Sequence, residues 1–321
     1  MVDLAAGRQN VDAVLVVGAE TVVGANLSAT LADSYRVIAL STTRPVRIAG
    51  CETATCRHAD RDRIHDWIGR TQPDWIVYSG LPARSCWEDQ WQSVDVDQLV
   101  THGRAWIRGA AARGCPFTLI SSDAVFTGPW MFHREDCRCL CSSRTAQAIR
   151  RLEQSALDHC PRSLVVRTNV FGWAPAATGA GWLETVLARL ERDDRLSFDC
   201  FRYATPILAT DLAGILAQAY AAQLRGVYHV AGTERLSPAQ FAQRLAHRFG
   251  FGVPRLVTTE TLAARPTGFG RGETSLQTCR IRSALGLPMP LLTDGLDRLF
   301  EQQHNGHRER LGQSLQHELV A

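Results

Sequence analysis

Val16-Val17-Gly18-Ala19-Glu20-Thr21-Val22-Val23-Gly24 closes an unbroken apolar run, Ala13 to Val17, and opens a segment of helical character. A run without polar alternation suits a strand buried on both faces, the mark of a parallel sheet. Gly18 and Gly24 bracket the turn. In such a strand–turn–helix unit, the N–H groups of the turn and the first helical residues converge where the pyrophosphate of a dinucleotide can sit. The pattern calls for a third glycine midway, and Thr21 stands there, where a side chain crowds the approach of phosphate to backbone. Two readings stay open: a retained dinucleotide site through Gly18, Thr21, Val22 and Gly24, or a βα turn that keeps its shape without the ligand.

The same rhythm continues outward. Tyr35 to Leu40, Asp74 to Tyr78, Phe117 to Ser121 and Leu164 to Arg167 read as further buried strands. Helical segments separate them: Gly24 to Ala32, Asp60 to Arg70, Val96 to Arg113 and Ser142 to His159. The expected fold class is α/β, a doubly wound parallel sheet of the NAD(P)-binding Rossmann kind with a smaller C-terminal α/β part. The domain reading places the Rossmann part at residues 1–172, a smaller part interleaved with it at 173–300, and a polar, frayed tail at 301–321. Within the second part, Thr178 to Glu191, Thr210 to Gln223 and Ser237 to Phe249 read as helices, Gly226 to Ala231 as a strand, and Ser275 to Leu285 as holding a short helix. Ser237-Pro238 has the form of an N-cap followed by a first-turn proline.

The second strand ends at Leu40-Ser41-Thr42-Thr43-Arg44, with no acid placed to hold a ribose 2′-hydroxyl. If a dinucleotide binds, Arg44 favours the 2′-phosphate of NADP(H). Ser79 and Gly80, just past the strand that ends at Tyr78, complete the cofactor-binding candidates.

Composition narrows the chemistry. All 35 basic residues among the 321 are arginine, and the chain has no lysine. Schiff-base chemistry and a P-loop lysine are therefore excluded. The formal net charge is +3 with scattered arginines, which does not suit nucleic acid. No apolar run reaches the roughly 18 residues that cross a bilayer, and the opening residues lack the apolar core of a signal peptide. The expectation is a soluble, cytoplasmic protein. Cys137, Cys139 and Cys141 form a C-x-C-x-C cluster without the paired C-x-x-C spacing usual for zinc, so they read as reduced thiols and no metal is expected.

Taken together, the motifs resemble the extended short-chain dehydrogenase/reductase superfamily, and within it the dTDP-4-dehydrorhamnose reductase branch. The resemblance rests on the glycine turn, Gln72-Pro73-Asp74, and Ile120-Ser121-Ser122-Asp123-Ala124-Val125-Phe126-Thr127-Gly128, which is similar to I-S-T-D-Y-V-F-D-G. It also rests on Glu135-Asp136, Val166 to Gly172, Asp211-Leu212, Gly226 to Gly232, Arg265-Pro266 and Ala284-Leu285-Gly286. It implies a reductase in which NADPH delivers hydride to the C4 ketone of a nucleotide-linked deoxysugar. A tyrosine protonates the oxygen, and a lysine four residues on lowers the tyrosine pKa and holds the nicotinamide ribose.

The chain departs from that pattern at the dyad. Aligning Glu153 with the family's glutamate puts Thr145 on the tyrosine and Ile149 on the lysine. Threonine is a far weaker acid than a phenol, and isoleucine offers neither charge nor hydrogen bond. Loss of a positioned acid costs about 10²–10⁴ in rate. Ser122 and Asp123 remain as residual catalytic candidates, and Arg144 and Arg150 flank the site in sequence. Arg202, Tyr203 and Arg265 fall in segments that resemble the family's substrate-binding part, where arginines grip a diphosphate. Trp130, near the Ser-Ser-Asp strand, reads first as core packing, with stacking on a base or sugar as the alternative. The leading expectation is a catalytically degenerate member that binds NADP(H) or a nucleotide sugar in a regulatory or sensing role, beside a protein partner or a second copy of itself. The alternatives are an active reductase or epimerase with an unconventional acid, and a structural or oligomeric protein with a vestigial cofactor site.

Overall fold

The computed structural model describes residues 11–57, 61–88, 95–199, 202–259 and 268–312. In chain order the first part comprises β1 (Ala13–Val17), α1 (Val22–Leu31), β2 (Arg36–Ser41), β3 (Glu52–Thr55), α2 (Arg61–Thr71), β4 (Trp75–Tyr78), α3 (Val96–Ala112), β5 (Phe117–Ser122), α4 (Arg144–His159) and β6 (Ser163–Thr168). There follow β7 (Val170–Phe171), α5 (Trp182–Glu191), β8 (Leu196–Asp199), β9 (Arg202–Tyr203), β10 (Ile207–Leu208), α6 (Ala209–Ala221), β11 (Gly226–His229) and α7 (Pro238–Arg248). The last elements are β12 (Leu256–Thr259), β13 (Gly272–Glu273), α8 (Cys279–Leu285), α9 (Leu292–Glu301) and α10 (His307–Arg310).

Seven strands form one parallel sheet in the order β11-β6-β5-β4-β1-β2-β3. Alternate side chains of the central strands feed two separate cores, as a sheet covered on both faces requires. Val14 and Val16 pack with Leu27 of α1 and Leu212 and Leu216 of α6. Leu15 and Val17 pack with Ile64 of α2, Trp106 of α3 and Leu152 of α4. A third core, around Trp87, Phe171, Trp182 and Phe241, joins residues of α1 and β2 to those of α5, α7 and α9, and Phe241 meets the other three rings at 5.1–5.6 Å. The helices begin where their caps dictate. Asp95 accepts from the N–H groups of Asp97 and Gln98, Ser143 from that of Ala146, and Ser237 forms a capping box with Gln240. Inside α4 and β6, Glu153 and Arg167 form a bidentate pair at 2.9 and 2.8 Å, so the one charge buried in β6 is neutralised.

The order reverses between β1 and β4, since β1 leads outward to β2 and β3 while β4 leads to β5, β6 and β11. Ligands of open parallel sheets gather at the strand C-termini beside such a reversal. The glycine turn after β1 lies there.

Two expectations need correction. The sheet has an edge strand, β3, that the apolar runs did not reveal, because Glu-Thr-Ala-Thr is polar and largely exposed. The expected frayed tail is ordered through residue 312. His307 Nε2 lies 2.8 Å from Asn26 Oδ1 inside α1, Arg310 pairs with Asp33, and Leu311 is buried. Among the described residues no helix is long and apolar enough to cross a membrane.

Candidate functional site

Gly18 sits at φ 91°, a left-handed conformation that a side chain disfavours, and a Cβ there would lie 2.6 Å from the Ser79 carbonyl oxygen. A Cβ on Gly24 would lie 2.2 Å from the Gly18 oxygen. Both glycines are thus required by close packing of turn, helix and β4. Thr21 does not project outward. Its hydroxyl donates toward the carbonyls of Gly18 (2.9 Å) and Ser79 (3.0 Å) and accepts from the Gly24 N–H at 2.9 Å, capping α1. The side chain is folded under the turn, while the N–H groups of Val22 and Val23, at the first turn of α1, meet no acceptor among the described residues. These two donors suit a phosphate group at a helix N-terminus. Ser79 is buried beneath the turn, donating to the Val17 carbonyl at 2.9 Å. Gly80 is also buried, with the Tyr78 ring where a Cβ would go.

At the end of β2 the sequence reading missed a carboxylate. Glu20, from the glycine turn, folds across to accept from the N–H groups of Thr42 and Thr43 at 3.0 Å and from their hydroxyls at 2.6 and 3.1 Å. It is 8% exposed, whereas Arg44 beside it is open to solvent. An acid therefore does stand at this strand end, contributed from another loop. No periodicity or local motif signals it.

These groups open into a cavity of about 690 Å³. Thr21, Val22, Arg44 and Arg202 line it together with residues between 174 and 198. Arg84, Arg189 and Arg271 also face it, giving five arginines against Glu20 and Glu88, with Trp87, Trp182 and Phe198 as aromatic wall. Burial raises the Glu88 pKa, an effect that neighbouring Arg84 opposes. Such a cavity combines phosphate-pairing charge with flat apolar surface for a ring. Of the expected site residues, it joins Thr21, Val22, Arg44 and Arg202. Gly18, Gly24, Ser79, Gly80, Ser122, Asp123, Thr145, Ile149 and Tyr203 lie outside its lining.

Ser122 and Asp123, at the end of β5, are buried. The Asp123 carboxylate accepts from Thr274 Oγ1 at 2.7 Å and Asn169 Nδ2 at 3.1 Å, with Ser122 Oγ at 3.4 Å and the Cys86 thiol at 3.8 Å. Burial pushes its pKa up to about 6, against the opposing pull of these hydrogen bonds. Ile149 is fully buried in the apolar core that contains Tyr78, Val125, Phe126 and Leu152. Thr145 is half-buried at the start of α4. Arg150 donates to the carbonyl of Cys141 at 2.7 Å, and so is engaged with backbone.

Arg202 donates to the carbonyls of Gly270 and Cys86, tying β9 to the chain just before Arg271 and Trp87, which line the cavity. Tyr203 lies beneath Arg235, whose guanidinium stands 3.6 Å over the ring. Arg265 falls outside the described residues. Trp130 is not a core residue, being 69% exposed, next to exposed Met131 and Phe132.

A family model described as the RmlD substrate binding domain matches residues 12–305. Among curated proteins none matches in sequence. The dTDP-4-dehydrorhamnose reductase of Bacillus anthracis, solved in complex with NADP, is 18% identical, has a TM-score of 0.75, and aligns over 91% of this chain and 99% of its own. A hypothetical dTDP-4-dehydrorhamnose reductase from Sulfolobus tokodaii is 22% identical, with a TM-score of 0.72 over 88% and 98%. The UDP-glucose 4-epimerase of Thermotoga maritima, solved with UDP-glucose, is 16% identical, with a TM-score of 0.72 over 90% and 97%. At these identities the structures show a shared fold. Because the family model spans nearly all of the described chain, this protein belongs to the RmlD substrate-binding-domain family.

Proposed function

We propose that this protein binds a nicotinamide dinucleotide and a nucleotide sugar in one crevice without carrying out the family's reduction, and serves a binding, sensing or regulatory role. The observation that carries this reading is the single cavity that joins the glycine turn to five arginines and two tryptophans. Val22 and Val23 offer N–H donors without an acceptor among the described residues at the helix end, and Val22 shares the cavity lining with Arg202. The solved relatives with bound NADP and UDP-glucose support the choice of ligands. A bound nicotinamide would supply hydride, but the chain has no lysine to pair with a tyrosine, and Ile149 sits in dry core. A protein partner or second copy would receive the signal.

One observation favours a second reading, an active reductase using Asp123. Its carboxyl titrates near 6 beside Ser122, in the range useful to a general acid. Its hydrogen bonds, however, run to Thr274 and Asn169, away from the cavity.

Calorimetric titration with NADPH, NADH and UDP-glucose separates these readings. Saturable binding at micromolar concentrations, weakened about tenfold or more by Arg202→Ala, is expected, with no cofactor oxidation when a 4-keto nucleotide sugar is added. Absence of binding to all three would leave a vestigial site. Turnover abolished by Asp123→Asn and retained by Thr145→Ala would establish the active reductase instead.

A further inference from the structure

Away from the cavity, the loop between β5 and α4 holds a cysteine–histidine arrangement that the proposed function does not use. His133 is 2% exposed and stacks on Phe126 with ring centres 4.7 Å apart and planes 10° apart. Its backbone is pinned on both sides, its N–H to the Ser275 carbonyl and its carbonyl to the Gln277 N–H, each at 2.8 Å. Nε2 lies 3.0 Å from the Glu273 carbonyl oxygen. A carbonyl only accepts, so Nε2 carries the proton and Nδ1 presents its lone pair. Facing that lone pair, at 3.2 Å, is Sγ of Cys137. The Cys139 N–H points at the same sulfur at 3.5 Å, which holds the Cys139 residue beside it. Cys137 and Cys139 are both half-buried and within reach of small solutes.

We propose that Cys137 and Cys139 are a peroxide-reactive thiol pair in which His133 is the base, Glu273 fixes the histidine tautomer, and Cys139 resolves the oxidised sulfur. This is the nucleophile–base–orienter arrangement that activates a thiol. The Cys137 proton passes to His133 Nδ1, and the thiolate attacks one oxygen of hydrogen peroxide. The O–O bond breaks, and the departing hydroxide takes the proton from His133 to leave as water. Cys137 is then a sulfenic acid. Cys139 Sγ attacks that sulfur, the S–O bond breaks, and the hydroxyl leaves with the Cys139 proton as a second water. In total two thiols lose two electrons to form one disulfide, and one peroxide is reduced to two waters. Cys141, in the same C-x-C-x-C run, is buried against Ser143 Oγ and the Gly268 carbonyl and takes no part.

The sequence makes the test direct. Trypsin cuts after Arg134, Arg138 and Arg144, so Cys137 and Cys139 fall on separate peptides, 135–138 and 139–144, joined only by a disulfide. Full-length protein treated with equimolar hydrogen peroxide, alkylated, digested and mass-analysed is expected to yield the linked pair, in wild type and in Cys141→Ser alike. In Cys139→Ser, Cys137 is expected to persist as a sulfenic acid trapped by dimedone. In His133→Asn, Cys137 oxidation is expected to slow by about tenfold or more. Circular dichroism reports whether that variant folds, and the two cysteine variants carry the test if it does not. The proposal fails if Cys137 reacts no faster than exposed Cys279, or if the linked peptides vanish in Cys141→Ser.

Discussion

Glu20 and Arg44, of opposite charge, both line the cavity at the end of β2. The carboxylate sits on the Thr42 and Thr43 amides at the end of β2, where the ribose of a bound dinucleotide would lie, and Arg44 stands at the cavity rim. A 2′-phosphate gains from the arginine and loses to the glutamate, whereas a 2′-hydroxyl can donate to the glutamate. Glu20→Gln is therefore expected to tighten NADP(H) relative to NAD(H) by about tenfold, roughly 1.4 kcal/mol, in paired calorimetric titrations. Asp123 is a second residue with a measurable signature. Its folded-state pKa, about 6, exceeds the ordinary value of 3.8. Between these limits the unfolded chain has released a proton that the folded chain keeps, so stability falls as pH rises from about 4 to about 6. Below that window the group contributes no difference. Denaturant melts of wild type and Asp123→Asn should show the wild type losing up to about 3 kcal/mol relative to the variant across it.

On the proposed reading, α4 is the element that withholds the family's reduction. Its buried face, Ala146, Ala148, Ile149, Leu152 and Ala156, packs onto the sheet, and Ile149 has no path to water. Restoring the dyad with Thr145→Tyr and Ile149→Lys is expected to yield no reductase activity. Ile149→Lys alone should cost about 3–5 kcal/mol in urea unfolding, the penalty of an unpaired buried charge. The elements that sequence reading found are those whose burial is continuous, such as β1 and β5, or whose start is marked by a cap such as Ser237-Pro238. It missed β3, whose polar sequence suits an exposed edge. The two-to-four-residue pairs β7–β10, β8–β12 and β9–β13 escaped as well, being too short to carry a period. The glycine turn was legible because its contacts are local. Of the other cavity arginines, Arg202 was expected from the resemblance, while Arg84, Arg189 and Arg271 were not, because they are joined to the site only by the fold.

Across the molecule, the C-terminal residues reach back to the helix that carries the glycine turn. His307 bonds Asn26, Arg310 reaches the Ala29 carbonyl and Asp33, and the Arg310 carbonyl accepts from the Ala49 N–H. Asn26 also donates to the Trp173 carbonyl, so one buried amide joins α1, the smaller part and the C-terminal segment. Removing residues 302–321 is expected to lower the thermal midpoint by several degrees, from the loss of Leu311 burial and the orphaned Asn26 oxygen. A scanning calorimetric comparison of the truncated and full-length chains checks this. In the intact chain, residues 302–312 behave as a tethered ligand of α1, held at high effective concentration by the peptide bond at its start. A synthetic peptide of this stretch should then rebind the shortened protein in trans. Its affinity would report how firmly the base of the glycine turn is gripped from below.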